Sequence, residues 1–266
     1  MTESKRSATG WTMRSYGMCL LVLTLLSAGA YAVPIDLGTA DTFAVLAGTG
    51  VTNSHPGTYI TGDVGSFPTV AVTGLTAGMV NGTLYLAGAP GQAKTDLTTA
   101  YLAAEAAVGA TNMDGQNLGA LGYSLAPGVY SFSSSAGLTG TLALNGGGDP
   151  NAQWIFQIGS TLITGTNSGV SLANGASASN VFWQVASSAT IEVDNAFAGN
   201  ILALESITLN GGTLDGRALA RNGAVTINGG ETINAPAVPE PVSSVLLLVG
   251  LGAGLLSRRR RLRSAR

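Results

Sequence analysis

A mainly β fold, wound as a solenoid of stacked strands with one long α-helix packed alongside, is predicted by three features of this 266-residue chain. The segments Ser188-Ala189-Thr190-Ile191-Glu192, Ser206-Ile207-Thr208-Leu209-Asn210 and Ala224-Val225-Thr226-Ile227-Asn228 fall into register at a spacing of 18 residues, and Asn-Gly-Gly recurs at 210–212 and 228–230. A period this short is too small for a helical repeat and fits one coil of a β-solenoid. Glycine makes up 38 of 266 residues, about twice the usual ~7%, as suits a chain that turns often between short strands. One Ala-rich stretch, residues 92–108, contains no Gly or Pro and keeps helical spacing instead.

Taken in order, the chain opens on a sorting segment. Lys5, Arg6 and Arg14 precede an apolar run from Gly17 to Gly29, and Ala30-Tyr31-Ala32 is a small-x-small cleavage site. This is the layout of a secretory signal peptide, residues 1–32, removed by signal peptidase. The run is short for a span of ~20 residues. Cys19 is the only cysteine, so cleavage leaves a mature chain without a thiol in a compartment that allows disulfides.

Residues 33–237 form one domain, long enough for a sizeable apolar interior. Phe43 to Ala47 reads as its first strand. Residues 92–108 read as an amphipathic helix with Leu97, Tyr101, Ala104 and Val108 on one face and Lys94, Thr98 and Glu105 elsewhere. Gly128 to Phe132, Leu138 to Leu144, Gln153 to Ile158, Val181 to Val185, Asn200 to Leu204 and Arg217 to Ala220 read as further strands. Before Thr190 the threonine spacing is irregular, so the solenoid is interrupted rather than uniform. The strand edges at its two ends need protection, by the N-terminal segment or the helix.

Side chains alternate along a strand. With Ile191, Val193, Leu209 and Ile227 turned inward, Thr190, Glu192, Thr208, Asn210, Thr226 and Asn228 point out. Neighbouring coils lie ~4.8 Å apart, and alternate residues on one strand ~6.7 Å apart. The result is a flat grid of hydroxyls, amides and methyls. Strand propensity alone accounts equally well for threonine on a half-buried strand.

The chain closes on Val238-Pro239-Glu240-Pro241, an apolar stretch from Val242 to Leu256, and Arg258 to Arg261 with Arg263. The arginines hold that end cytoplasmic, and the stretch is marginal as a stable span, which predicts transient membrane insertion. The motif Pro239-Glu240-Pro241, the hydrophobic segment and the Arg cluster, together residues 238–266, resemble the PEP-CTERM sorting signal. That resemblance implies processing by an exosortase-type membrane protease. It also implies export across the inner membrane of a Gram-negative bacterium that makes extracellular polysaccharide, with a product secreted or left at the cell surface or outer membrane.

Without both ends, the basic residues are Lys94, Arg217 and Arg221 against twelve acidic ones, a formal net charge of −9. This argues against nucleic acid and anionic membranes as partners. Enzymes need convergent acids, or a base with a metal. Asp63, Glu192, Asp194, Glu205, Asp215, Arg217 and Arg221 are on offer, and His55, the only histidine, sits in a loop sequence. Asp63 reads as a turn cap. No triad, zinc spacing, phosphate loop, dinucleotide fingerprint or calcium-loading repeat is present. The reading is therefore non-enzymatic, without cofactor or metal.

The core segments also carry a family resemblance. Leu37-Gly38-Thr39-Ala40, Phe43 to Gly48, Ile60 to Gly65, Pro127 to Tyr130, Trp154 to Ser160, Asn180 to Val185, Asn200 to Ala203 and Gly216 to Thr226 resemble, in order, the ice-binding-like domain family over roughly residues 35–234. The resemblance implies a discontinuous right-handed parallel β-helix with one long helix alongside. It implies adsorption to an ice surface through a flat face of short residues carrying a Thr-Ala/Gly-x-Thr/Asn motif. Thr164-Gly165-Thr166-Asn167 fits that motif, and Asn210-Gly211-Gly212-Thr213 is a looser variant. The candidate ice-binding residues are thus Thr161, Thr164, Thr166, Asn167, Thr190, Thr208, Asn210, Thr213, Thr226 and Asn228. Glu192 and Asp194, expected on the same outward strand as Thr190, depart from the pattern. The alternative function is a non-catalytic matrix or adhesion protein bound to extracellular polysaccharide.

Overall fold

The computed structural model describes residues 34–86 and 90–236. The leader and sorting tail expected at 1–32 and 238–266 lie outside these residues. The described chain is mainly β, in two sheets whose strand pairs are parallel, with one α-helix, α1 (Gly91–Glu105).

Seven short strands form one sheet, in the order Val72–Thr73, Gly50–Asn53, Ala224–Ile227, Ile207–Leu209, Ala189–Ile191, Leu162–Thr164, Ala136–Leu138. Thirteen strands form the other. In that sheet Asn195–Ala203 and Gly212–Ala220 pair along their whole length, yet the two halves of Asn195–Ala203 take different neighbours on its other side. Ala196 registers with Gly169, whereas Asn200 to Ala203 register with Phe182 to Val185. The change falls at Gly199, which registers with Gly216. A Cβ on Gly199, whose φ is +115°, would lie 2.6 Å from Trp183 Nε1, and one on Gly216 would lie 1.9 Å from the Gly199 carbonyl oxygen. At this corner the Trp183 indole packs onto Gly199 and the two backbones meet at Gly216, because neither residue carries a side chain. The strands expected at 200–204 and 217–220 are therefore the second halves of longer ones. The strand expected from Leu138 to Leu144 divides into Ala136–Leu138 and Thr141–Asn145, because Gly140, with φ +100°, turns the chain between the two sheets.

The rungs do not follow chain order. Phe43–Ala47 pairs with Gly212–Ala220 on one side and with Asp63–Ser66 on the other. Gly50–Asn53 pairs with Ala224–Ile227. The first rungs of the sequence thus stack on its last. Helix α1, about 22 Å long at ~1.5 Å per residue, carries the chain back toward the opposite edge, where Thr111–Asn112 pairs with Gly128–Phe132. The edge strands are two residues long at Val72–Thr73, Val80–Asn81 and Thr111–Asn112, which limits pairing with another chain. The helix covers a sheet face rather than an edge.

Trp154, Phe156, Trp183 and Phe197 fill the interior, with Phe156 and Trp183 stacked at 4.1 Å between ring centroids. A second apolar layer joins Leu97, Ala100, Tyr101 and Ala104 of α1 to Leu46, Ile155, Phe182 and Leu202. Strands between these layers are covered on both faces, which explains their unbroken apolar runs. Gln157 Nε2 donates to the carbonyls of Ala104, Glu105 and Ala107, and Gln184 Nε2 donates to Tyr101 Oη.

Two helix expectations are corrected. Val108 lies beyond the helix end at Glu105 and is 80% exposed, since Gln157 Nε2 takes the Ala104, Glu105 and Ala107 carbonyls that a longer helix would use. Lys94, expected off the apolar face, is buried and donates from Nζ to the carbonyls of Ala220 and Arg221. Burial, and next the Arg221 charge, lower its pKa to about 8.

Candidate functional site

The seven-stranded sheet brings threonines from both ends of the domain into one line. Thr190 registers with Thr208, Thr208 with Thr226, Thr226 with Thr52, and Thr52 with Thr73. The line continues through Ile163 and Gly137. At ~4.8 Å per rung the five threonines span about 19 Å. Their alternates Ala189, Ile191, Ile207, Leu209, Val225, Ile227 and Val51 are at most 1% exposed, so packing fixes which way the threonines face. On one flank run Ser135, Thr161, Ser188, Ser206 and Ala224, where the Ser135 and Thr161 hydroxyls are 2.8 Å apart. On the other run Glu192, Asn210, Asn228 and Ser54.

Of the residues expected on this face, Thr190, Thr208 and Thr226 lie in the central line, Thr161, Asn210 and Asn228 flank it, and four lie elsewhere. Thr164 is 2% exposed, and its hydroxyl accepts the Glu192 N–H at 2.8 Å. Thr166 and Asn167 are exposed beyond the end of their strand, with Asn167 at φ +55°. The Thr-Gly-Thr-Asn segment thus forms the corner after the face. Thr213 belongs to the thirteen-stranded sheet, registered between Ala196 and Thr232. Thr52 and Thr73 escaped the 18-residue period because they reach the line through out-of-order stacking. The recurring Val-Thr of Val51-Thr52, Val72-Thr73 and Val225-Thr226 was the available cue.

The acidic residues also differ from expectation. The strand ends at Ile191, and Asp194 sits exposed in a turn at φ +58°. That turn also leaves Val193, expected inward, 40% exposed. Glu192 stays beside the threonines, but its carboxylate lies along the sheet and accepts from Asn210 Nδ2 at 3.1 Å.

The other chemistry-bearing residues stand apart. Arg217 is 1% exposed. It forms an ion pair with Asp41 at 2.5 Å and donates to Asn200 Oδ1 and to the carbonyls of Asp41 and Pro236. Burial lowers the Arg217 pKa, and burial raises that of Asp41 against the pull of the guanidinium. Arg221 lies over the Tyr101 ring at 4.6 Å. Asp215 is exposed on the thirteen-stranded sheet, Asp63 accepts the Thr83 N–H, and Glu205 accepts from Asn222. His55 is exposed in its loop, with Nδ1 accepting the Gly57 N–H. Glu231 is 1% exposed, and neither carboxyl oxygen is in a well-formed hydrogen bond. Burial pushes its pKa up to about 7, against a weaker opposing influence from the Gly211 N–H. Among the described residues, no three of His, Cys, Asp and Glu are grouped to hold a metal.

Parallel rungs thus carry a helix over one face and a line of threonines over another. A family profile described as Ice-binding-like matches residues 45–234. An ice-binding protein of Nostoc sp. (strain HG1) is 45% identical over 258 residues, spanning 92% of this chain and 93% of the relative. One from Colwellia sp. is 36% identical, spanning 80% and 87%. The crystal structure of an ice-binding protein from an Antarctic biological consortium is similar with a TM-score of 0.71 at 44% identity, covering 77% of this chain and 93% of that one. The ice-binding protein of Antarctomyces psychrotrophicus gives 0.71 at 37% identity, covering 77% and 100%. The chain belongs to the ice-binding-like family.

Proposed function

We propose that this chain is an exported protein that adsorbs to ice through the line of Thr190, Thr208, Thr226, Thr52 and Thr73 and its flanking rows. The observation that carries the reading is the unbroken register of five threonines over a buried aliphatic row. Regularly spaced methyls and hydroxyls hold surface water in a repeating pattern, so matching it to ice costs little further ordering. In finer detail, the parallel rungs are read as the discontinuous right-handed β-helix that family membership implies. Ice recrystallisation inhibition, thermal hysteresis and ice-affinity partitioning of the mature protein test the function. Failure of all three at high protein concentration overturns it, and retention on the producer's own polysaccharide would then favour the matrix reading.

The ends support export. Ala30-Tyr31-Ala32 and the Pro239-Glu240-Pro241 tail predict a product trimmed by signal peptidase and an exosortase-type protease, secreted or held at the surface. Intact mass of the native protein checks this, and most molecules retaining Arg258 to Arg266 would contradict it.

A further inference from the structure

Resting on the ice-adsorption reading, we infer that Glu192 is a positioning residue that fixes the polarity of the amide row beside the threonines. Asn228 Nδ2 donates to Asn210 Oδ1 at 3.0 Å, and Asn210 Nδ2 donates to Glu192 Oε2 at 3.1 Å. These three residues sit 18 residues apart on consecutive rungs, next to Thr190, Thr208 and Thr226. An amide can present either its oxygen or its nitrogen to a neighbour, so a row of asparagines alone has two equivalent directions. A carboxylate only accepts hydrogen bonds. It therefore compels Asn210 to turn its nitrogen toward Glu192 and its oxygen toward Asn228, and Asn228 must then donate in turn. The row acquires one direction. Each amide then offers water its remaining N–H and lone pair in a single repeating order. A row of mixed directions would offer water a different pattern on each molecule. Glu192, which by charge alone reads as a blemish on an ice face, is in this geometry the end-stop that makes the face uniform. Its backbone is held by the buried Thr164 hydroxyl, which accepts the Glu192 N–H.

The test is Glu192→Gln, which keeps the reach and removes the acceptor-only end, compared with the double variant Glu192→Gln/Asn210→Asp, which moves the carboxylate one rung along. Side-chain NH2 resonances of Asn210 and Asn228 in 15N-labelled mature protein report the row. Ice-affinity partitioning reports adsorption, and thermal unfolding reports the fold. In wild type each side-chain NH2 should give one hydrogen-bonded, slowly exchanging pair. Glu192→Gln should broaden or split both pairs and lower partitioning about threefold, the scale of one hydrogen bond's orientation, with unchanged melting. The double variant should restore a single Asn228 pair and most of the partitioning. Unchanged NH2 resonances in Glu192→Gln would overturn the inference. So would disturbed resonances with undiminished partitioning, or a double variant no better than the single. A wild-type protein that never partitions into ice overturns the adsorption reading itself, while the resonances still decide whether Glu192 sets the row.

Discussion

Replacing Thr208 with tyrosine tests the threonine line at its centre. Thr208 registers directly with Thr190 and Thr226. Its own side chain is half-buried, and its strand neighbours Ile207 and Leu209 are fully buried. A phenol ring here stands off the sheet and shadows the rung on either side, since rungs are ~4.8 Å apart. Three of the five threonines then lose contact with a flat surface. At about 0.8 kcal/mol for each methyl withdrawn, the loss is about 2.4 kcal/mol, or about 50-fold in adsorption at 1.4 kcal/mol per decade. The fold should tolerate the change to within about 1 kcal/mol, because tyrosine suits a strand and the half-buried Thr208 side chain stands off the packed row of Ile207 and Leu209. Ice-affinity partitioning and recrystallisation inhibition measure the first quantity, and urea unfolding the second. Thr213→Tyr, on the other sheet, is the control and should leave partitioning unaltered. A Thr208→Tyr protein with native stability and full partitioning would show the line to be structural only, and the reasoning would fall.

Thr52→Tyr should depress partitioning comparably although it lies outside the 18-residue repeat, because it occupies the next rung after Thr226. Arg217→Met removes the partner of Asp41 and the donors to Asn200, Asp41 and Pro236. It should cost about 3 kcal/mol in urea unfolding, as expected when one member of a buried pair is deleted. Glu231 has a folded-state pKa of about 7 against an ordinary 4.5, so the native state binds the extra proton between those values. Its contribution therefore favours the fold below about 4.5 and is lost as pH rises through about 7, a change on the order of 3 kcal/mol. Unfolding curves of wild type and Glu231→Gln across pH 4 to 8 should differ by that slope, and parallel curves would contradict it.

The residues that show in the sequence are those whose partners repeat locally. Ala189–Ile191, Ile207–Leu209 and Ala224–Ile227 repeat because each rung is followed by the next in the chain, so stacking appears as period. The runs at 154–158 and 181–185 show as strands because both faces are buried, though the helix side of that burial is invisible without the fold. Thr52 and Thr73 stay hidden because register between 226 and 52 leaves no periodic trace. Lys94 misled because its long apolar stem carries the ammonium to carbonyls a helical wheel cannot know about. Asp194 and Val193 misled because alternation presumes an extended chain, and the left-handed turn at Asp194 ends it. Thr164 follows alternation, and its burial shows that a motif can mark a corner.

Stacking the first rungs on the last also has a consequence in time. Ser54 donates to the backbone of Asn228, 174 residues downstream. At synthesis rates of about 5–20 residues per second, roughly 10–35 s separate the emergence of Gly50–Asn53 from that of the strand it pairs with. During that interval the early strands have no neighbour on that side, and loop closure over such a separation is slow. A chain whose first strands wait for its last rung stays incompletely folded until synthesis of the domain is nearly finished. The threonine line is then the last part of the molecule to be assembled, since Thr226 must arrive before Thr52 and Thr208 share one row.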